Sequence, residues 1–243
     1  MPLFTIITLT LNRDRYIKAC LDSVLSQSCK DYEHIIIDSK STDRTLQFVG
    51  EYMTQTNKCF LHTAAPLGIA NSMNYGLEKA KGAYVVFLHS DDWFYNKSAL
   101  EYVKNFILQT RKDVVFGPKT MQLGKFIINL RLLNVLSNYQ ICNVQKYWNF
   151  IPHSSLFMKT QLIRDAGGFD AKYKYAMDYD LWCRTLTKDN FAMYDKPTVV
   201  FRRHKNSASF KAGNTLEMAK EIIGISRHYF AQPRKKGPGT VSS

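Results

Sequence analysis

The chain has 243 residues, of which 45% are hydrophobic and 13% aromatic, and its formal net charge at pH 7 is +13. This length suits one large α/β domain or two small ones, with enough apolar residues for a sizeable core. The sequence contains no zinc-finger spacing, RNA-binding aromatic signature or basic heptad region, so we expect no nucleic-acid partner. The positive charge therefore indicates a field that steers an anionic substrate, or a surface that faces anionic lipid.

Cysteine usage and the N-terminus indicate the cellular setting. The five cysteines are scattered and lack CxxC spacing, so they predict neither a disulfide framework nor a zinc site, and they favour a reducing compartment. The N-terminus lacks the charged region and cleavage site of a signal peptide. No apolar run approaches the ~18–20 residues of a membrane span. We therefore expect a cytoplasmic protein.

Strands and helices alternate along the first half of the chain. Apolar runs rich in β-branched residues predict strands at residues 3–9, 32–37, 58–62 and 83–88. Apolar residues at helical spacing predict helices at residues 16–28, 43–52 and 68–79. This alternation is typical of right-handed βαβ units and a mostly parallel sheet, and it predicts a nucleotide-binding half at residues 1–115.

In the second half the alternation ends. Short strands are predicted at residues 114–118, 155–159 and 198–203, and residues 121–128 are expected to pair with the first of them as an antiparallel strand. Helices are predicted at residues 160–166 and 178–187, and Leu216, Ala219, Ile223 and Phe230 mark a last amphipathic helix. Residues 130–150 give no clear assignment. The basic, Pro/Gly-rich residues 232–243 predict a disordered tail.

Three polar clusters follow predicted strands, at residues 8–12, 38–43 and 89–92. Ligands of open α/β sheets bind beyond the carboxyl ends of the strands, so we expect these clusters to converge at one edge. Adjacent Asp91 and Asp92 would repel each other unless a cation or a proton lies between them. The pair therefore predicts a site for Mg²⁺ or Mn²⁺ that is shared with a phosphate. A helix N-cap explains the same two residues equally well.

Three further acidic residues are candidates, and two of them, Asp38 and Asp178, have two interpretations. Asp38 is either an acceptor for a base N–H or a ribose hydroxyl, or a turn residue that closes its strand. Asp178 is either an N-terminal helix cap or a general base that takes a proton from an attacking hydroxyl. Asp180, two residues further along the same helix, compensates the helix dipole.

Several motifs together resemble the family 2 glycosyltransferases, which are inverting enzymes of the GT-A fold. The matching segments are IITLTLN at 6–12, IIIDSKSTDRT at 35–45, PLGIANSMNYG at 66–76, KG at 81–82, FLHSDD at 87–92, PHSS at 152–155, GGFD at 167–170 and DYDLW at 178–182. They cover about residues 3–205 in the family's order. The chain is similar in particular to members that assemble bacterial surface polysaccharides.

The resemblance implies a fold and an activity. The fold is a single α/β domain with a mixed, mostly parallel sheet flanked by helices and a C-terminal helical extension. Residues 1–115 would bind the nucleotide-sugar, and residues 116–231 would bind the acceptor and supply the catalytic base. The reaction would be metal-dependent transfer, with Mn²⁺ or Mg²⁺, of a sugar from a nucleotide-sugar, for which we expect UDP as the nucleotide. The acceptor would be a glycan or a lipid-linked glycan.

The resemblance also assigns roles to particular residues. The nucleotide would be bound by Thr8, Asn12, Asp38, Asn71 and Ser90. The metal would be ligated by Asp91 and His204, and Asp178 would be the catalytic base. The same site would include His89, Asp92, His153 and Asp180.

The chain departs from the family pattern at three positions. His89 replaces the first Asp of an Asp-X-Asp metal motif, Lys40 stands where Gly is frequent, and Met177 replaces the Glu that often precedes the catalytic Asp. These departures keep open a catalytically silent nucleotide-sugar or glycan-binding module. A nucleotidyltransferase is disfavoured because residues 9–12 contain no Gly-rich phosphate loop.

Basic residues near the last predicted helix suggest a membrane partner. They are Arg227, Arg234, Lys235 and Lys236. Next to an amphipathic helix they favour peripheral association with an anionic surface, here the inner face of the cytoplasmic membrane. A solvated, disordered terminus explains them equally well.

Overall fold

The structure is a computed structural model that describes residues 1–65, 68–124, 126–130, 136–203 and 212–230. His204 and the predicted tail at residues 232–243 lie outside the described residues.

The first half folds as the alternation predicts. Its strands are β1 (Phe4–Thr10), β2 (Tyr32–Asp38), β3 (Cys59–Thr63), β4 (Tyr84–Phe87), β5 (Trp93–Phe94) and β6 (Val114–Phe116). Its helices are α1 (Ile17–Leu25), α2 (Thr45–Met53), α3 (Ile69–Lys79) and α4 (Ala99–Thr110). Each of the four long strands and three helices that were predicted up to residue 88 is confirmed, with ends that differ by a few residues.

The second half adds shorter elements. Its strands are β7 (Lys119–Leu123), β8 (Phe126–Leu130), β9 (Leu156–Lys159), β10 (Phe191–Met193) and β11 (Val199–Arg202). Its helices are α5 (Asn138–Gln145), α6 (Thr160–Asp165), α7 (Met177–Thr185) and α8 (Ala212–Phe230). Helix α5 lies in the stretch without a sequence assignment. It begins with a capping box, in which Ser137 and Gln140 each bind the other's backbone N–H.

A seven-stranded sheet, of order β10-β6-β9-β4-β1-β2-β3, forms the centre of the described residues. Its strands are parallel except β9, which runs antiparallel between β4 and β6. Strands β9 and β10 come from the second half of the chain, so the two predicted halves share one sheet. Every residue of β2 is buried because helices cover both faces.

The two faces of the sheet carry separate apolar cores. One face packs against α1, α2 and α4, through residues such as Ile6 and Ile36. The other packs against α3, α6 and α7, through residues such as Ile7 and Ile37. Neighbouring residues of β1 and β2 thus serve opposite faces, as the two-residue repeat of a strand requires.

The prediction for residues 121–128 was wrong. The segment is a hairpin of β7 and β8 that turns at Gly124, whose φ is +59°. It belongs to a four-stranded sheet of order β5-β11-β7-β8. Strand β6 does not pair with this segment because β9 and β10 already occupy its two edges.

The last helix is confirmed, but the residues that marked it do not form its buried face. Ile222 and Ile225 are buried and pack with Ala176 and Tyr179 of the α7 region. Leu216 and Ile223 are 64% and 51% exposed and point outward. None of the helices in the described residues is long and apolar enough to cross a membrane.

Candidate active site at the carboxyl edge of the central sheet

The carboxyl ends of β1, β2 and β4 meet at one edge, as predicted. In the strand register Thr10 lies beside Asp38, and Ile7 lies beside Phe87. Asn12 adopts a left-handed conformation with φ of +52°, and its side-chain oxygen accepts the Thr42 N–H at 2.8 Å. This bond fastens the loop after β1 to the loop after β2.

Thr8 and Asp38 are fully buried, and their side chains have partners within the protein. The Thr8 hydroxyl donates to the Leu88 carbonyl at 2.8 Å and lies 2.9 Å from His34 Nε2. The Asp38 oxygens accept the Ser41 N–H at 2.9 Å and the Ser41 hydroxyl at 2.5 Å. These contacts favour the turn interpretation of Asp38 and an internal role for Thr8. Contact of either residue with a nucleotide stays a prediction.

Two other residues of the predicted nucleotide set lie at the same edge. Asn71 is exposed in the first turn of α3, the helix that follows β3 in the chain. Ser90 is buried in the turn that follows β4. Their positions are compatible with the predicted roles, which stay predictions.

The adjacent carboxylates at the end of β4 differ in their surroundings. Asp92 is fully buried and its Oδ1 accepts the backbone N–H of Arg202 at 3.0 Å. Burial, and to a lesser extent the charge of Asp91, raise the pKa of Asp92 well above its usual range. Arg202 Nε donates to the Asp91 carbonyl at 3.1 Å. Asp92 therefore joins the turn to β11, while the Asp91 carboxylate is only half-buried at the edge.

The donor set fits a divalent cation that is held jointly with a phosphate. In the described part of the chain, no three His, Cys, Asp or Glu side chains cluster closely enough to hold a metal ion by themselves. Asp91 offers hard carboxylate oxygens, and Mg²⁺ is typically bound by one or two carboxylates together with substrate phosphates. The contribution predicted for His204 lies outside the described residues.

A row of aromatic rings runs from the end of β4 to α7. The His89 ring stacks on His153 with centroids 5.3 Å apart, and His153 lies 6.2 Å from the Trp182 ring. Burial, with the nearby His89, lowers the pKa of His153 to about 3, so its imidazole is neutral at pH 7. Both His153 ring nitrogens are buried and have no hydrogen-bond partner among the described residues. His89, which stands in the first position of the family's metal motif, thus stacks on His153 of the PHSS segment.

Asp178 lies in the first turn of α7 and is half-buried. Its Oδ1 accepts the Tyr179 N–H at 2.7 Å and the Asn149 side-chain N–H at 3.1 Å. Burial raises the pKa of Asp178 to about 6, against the opposing effects of these two hydrogen bonds and of Lys119. A carboxylate with this pKa is mostly ionised at pH 7 and is a stronger base than an ordinary Asp.

Asp180 lies on a different side of α7 and does not join this row. It is buried and forms an ion pair with Arg184 at 2.7 Å, and it accepts the Tyr229 hydroxyl at 3.1 Å. Arg184 also donates to the Gly168 carbonyl at 2.8 Å. Asp180 therefore connects α7 to α8 and to the GGFD segment.

The GGFD segment supports the aromatic row. Gly168 has φ of +73°, and a Cβ there would lie 2.5 Å from Asn74 Oδ1, so a larger residue is excluded. Asn74 both donates to and accepts from the Phe169 backbone at 2.8 Å. The Phe169 ring then packs edge-on against Phe87 at the end of β4, with centroids 5.2 Å apart.

Sequence analysis missed a carboxylate that binds the segment before α7. Glu221 of α8 accepts the backbone N–H groups of Lys174, Tyr175 and Ala176, each at 2.9 Å. These residues lead directly into Met177 and Asp178. An acidic residue on a predicted surface helix gave no signal for this role.

Sequence analysis also missed three basic residues near the edge. Arg13 lies close enough to His89 to lower its pKa, although burial is the main cause. Lys119 interacts electrostatically with both Arg203 and Asp178. The sequence signalled this positive field only through its net charge of +13.

The fold and this edge define a GT-A glycosyltransferase architecture. Residues 5–161 match the family model described as Glycosyl transferase family 2. The chain belongs to glycosyl transferase family 2, so the resemblance noted in the sequence is confirmed.

Relatives and solved structures agree with this family. A PGL/p-HBAD biosynthesis glycosyltransferase of Mycobacterium bovis is 28% identical over 205 residues, which cover 83% of this chain and 73% of the relative. The fold matches S. aureus TarS 1-349 in complex with UDP-GlcNAc, with a TM-score of 0.76, 21% identity, and coverage of 95% of this chain and 68% of TarS. It also matches the mannosyltransferase PcManGT from Pyrobaculum calidifontis in complex with GDP-Man and Mn²⁺, with a TM-score of 0.66, 19% identity, and coverage of 98% and 66%. The chain spans about two thirds of the length of these solved structures.

The contacts of Glu221 predict a large effect on stability. We expect Glu221→Leu to lower the free energy of unfolding by about 2 kcal/mol, because three backbone N–H groups lose a charged acceptor. Glu221→Gln, which keeps an acceptor oxygen but not the charge, should lose less. Urea denaturation measures both changes.

Glu217→Leu provides the matched control. Glu217 is exposed on the same helix, one turn before Glu221. We expect this substitution to change stability by no more than about 0.5 kcal/mol. Equal effects of the two leucine substitutions would contradict the role given to Glu221.

Proposed function

We propose that this protein is an inverting glycosyltransferase that moves a sugar from a nucleotide-sugar, most simply a UDP-sugar, to a glycan or lipid-linked glycan. One observation carries the proposal. The aromatic row His89, His153 and Trp182 connects Asp91 at the end of β4 to the helix of Asp178, on the fold of family 2. Burial raises the pKa of Asp178 to about 6, which suits a general base that acts near neutral pH.

In the proposed reaction Asp178 acts as the base. The acceptor hydroxyl oxygen attacks the anomeric carbon from the face opposite the phosphate, and its proton passes to the Asp178 carboxylate. The new C–O bond forms as the bond between the anomeric carbon and the phosphate oxygen breaks. The nucleoside diphosphate leaves with the bonding electrons. A single displacement inverts the anomeric centre.

The residues at the edge would stabilise the negative charge on the leaving group. Asp91 would hold Mn²⁺ or Mg²⁺ together with the diphosphate, and such an ion supplies electrostatic stabilisation of the departing phosphate. Arg13, near His89, and Lys119, near Asp178, add fixed positive charge at either end of the row.

The choice of donor and cation rests on the similar structures. TarS was solved with UDP-GlcNAc, and PcManGT with GDP-Man and Mn²⁺. Both complexes support a nucleotide-sugar donor, and the second supports a divalent cation. A panel of nucleotide-sugars will identify the nucleotide and the sugar that this protein uses.

The first experiment measures release of nucleoside diphosphate from UDP-, GDP- and dTDP-sugars with Mn²⁺, Mg²⁺ or EDTA. We expect slow hydrolysis of one donor that requires the metal. Binding without hydrolysis would indicate a strict requirement for the acceptor. The absence of both binding and hydrolysis would favour a catalytically silent module and overturn the proposal.

Asp178→Asn tests the assignment of the base. We expect transfer to fall by a factor of about 10²–10⁴, the usual contribution of a general base, while calorimetry shows donor affinity unchanged. Asp22→Asn, on the exposed surface of α1, is the control and should leave both quantities unchanged. An active Asp178→Asn enzyme would exclude this residue as the base.

The pH dependence provides an independent test of Asp178. A base must be deprotonated to act, so kcat/KM should fall as the pH drops through about 6. Asn149→Leu removes a hydrogen bond that favours the charged carboxylate, so the midpoint should move upward by up to about one pH unit.

Asn57→Leu, on the loop before β3, is the control for this shift and should not move the midpoint. A midpoint that stays in place in Asn149→Leu would show that another group limits the rate at low pH.

We further propose that α8 brings the protein to the anionic cytoplasmic face of a membrane. Leu216, Lys220, Ile223 and Arg227 recur at intervals of four, three and four residues, so they share one face of α8, and all four are exposed. Apolar and basic residues on one exposed face are typical of helices that lie in a membrane interface. The chain continues with Arg234, Lys235 and Lys236, which lie outside the described residues.

Vesicle sedimentation tests this surface. We expect salt-sensitive binding to vesicles of phosphatidylglycerol and phosphatidylcholine, and none to phosphatidylcholine alone. The double substitution Leu216→Ser and Ile223→Ser should weaken binding about tenfold, which corresponds to ~1.4 kcal/mol. Leu108→Ser, on the exposed face of α4, is the control. Binding that the double substitution does not change would exclude α8 as the docking helix.

A further inference from the structure

A cavity of about 270 Å³ lies between α5, α7 and the C-terminal end of α8. Its walls are mainly apolar and include Tyr139, Cys142, Ile151, Leu186, Phe191 and Phe230. Its volume falls just below the ~300–1,000 Å³ of sites for drug-sized ligands. The cavity therefore suits one compact group, such as an aromatic ring or a short chain.

Two buried polar groups in the wall of this cavity have no partner. Gln145 is 4% exposed, and neither its side-chain oxygen nor its nitrogen forms a hydrogen bond with the described residues. Trp182 is 2% exposed, and its indole N–H also has no partner among them. A buried polar group that is left without a hydrogen bond destabilises the folded protein. An apolar wall with a few polar groups in it is the usual composition of a ligand site.

The cavity adjoins the candidate catalytic centre. Trp182 lines it and also lies next to His153 in the aromatic row. A helix rises ~1.5 Å per residue, so Trp182 lies about 6 Å along α7 from Asp178. Asn149, which binds Asp178, lies in the chain between the lining residues Gln145 and Ile151.

We propose that this cavity binds an apolar group of the acceptor, aryl or alkyl, that carries an oxygen. In the proposed complex the Gln145 amide, which is buried in the structure, reorients into the cavity and binds that oxygen, and the ring or chain packs against the apolar walls. Lys146 and Lys188 line the cavity, and no acidic residue among the described parts of the chain does, which suits a neutral or anionic group. The inference rests on the proposed transferase, because it places this group beside the acceptor hydroxyl at Asp178.

The test uses binding, without donor, metal or turnover. The probes are phenyl β-D-glucoside for an aryl group, octyl β-D-glucoside below its micelle concentration for an alkyl group, and methyl β-D-glucoside as the control. The readout is the indole N–H resonance of Trp182 in ¹H–¹⁵N NMR spectra, identified by its loss in Trp182→Phe. We expect the phenyl or the octyl glucoside to shift this resonance, with a shift that reaches a plateau as the probe concentration rises. The methyl glucoside should leave the resonance unchanged.

Cys142→Trp fills the cavity and should weaken probe binding at least tenfold. The matched control is Val144→Trp, on the exposed side of the same helix, which should bind as the unmodified protein does. If Cys142→Trp does not fold, Phe230→Ala is used, because it removes a wall of the cavity at a partly exposed position and should also weaken binding. Equal affinity in Cys142→Trp or Phe230→Ala and in Val144→Trp would overturn the proposal.

Gln145→Leu separates a ligand-binding amide from a structural one. Replacing an unsatisfied buried amide by an apolar side chain of similar size should leave stability unchanged or raise it. The same substitution should weaken binding of the glucoside probe. A loss of stability with unchanged affinity would show that the amide is structural and would overturn its assigned role.

The outcomes distinguish this inference from the proposed function. If no glucoside shifts Trp182 but the donor panel shows metal-dependent hydrolysis, the cavity proposal fails and the transferase stands. If the probes bind but no donor does, the cavity is a ligand site in a protein that is not this transferase, and the assignment of its ligand to an acceptor fails.

Discussion

The position of the candidate base depends on one carboxylate from the other end of the chain. Glu221 accepts three consecutive backbone N–H groups, at residues 174–176, from the segment that enters α7. A carboxylate beside the start of a helix is also favoured by the helix dipole. The buried residues Ile222 and Ile225 pack α8 against the same region. A helix outside the matched residues 5–161 therefore holds the segment that leads into Asp178, and this arrangement connects α8 to the candidate catalytic centre.

Each of two pairs of neighbouring carboxylates contains one member with structural contacts and one member with a proposed role in the reaction. At the end of β4, Asp92 is buried and binds the β11 backbone, whereas Asp91 stays half-buried at the edge. On α7, Asp180 forms an ion pair with Arg184, whereas Asp178 accepts a hydrogen bond from Asn149 and interacts electrostatically with Lys119. Side chains two residues apart on a helix point to different sides, so Asp178 and Asp180 contact different neighbours. Asp92 connects the turn that contains Asp91 to β11, and Asp180 connects the helix that contains Asp178 to α8.

Most of the fold in the first half followed from local pattern. The buried strands and amphipathic helices up to residue 88 lie where periodicity predicts them, and the polar ends of β1, β2 and β4 meet because parallel strands share an edge. The prediction failed where the partner of a strand is distant in sequence. Residues 121–128 were predicted to pair with β6. Its two edges are instead occupied by β9 and β10, whose paired residues lie at least 40 and more than 70 residues further along the chain.

The sequence by itself determined the order of strands and helices up to residue 88, the family, and the two places where acidic residues follow a strand or begin a helix. These features are local, because strand and helix periodicity and turn chemistry act over a few residues. Only the tertiary structure decided that His89 stacks on His153 and that Glu221 binds the segment before α7. It also decided that the polar side-chain atoms of Gln145 and Trp182, two residues that line a cavity, are buried with no hydrogen-bond partner in the part of the chain that the structure describes. Those contacts join residues far apart in the chain, and a single sequence carries no periodic signal for them.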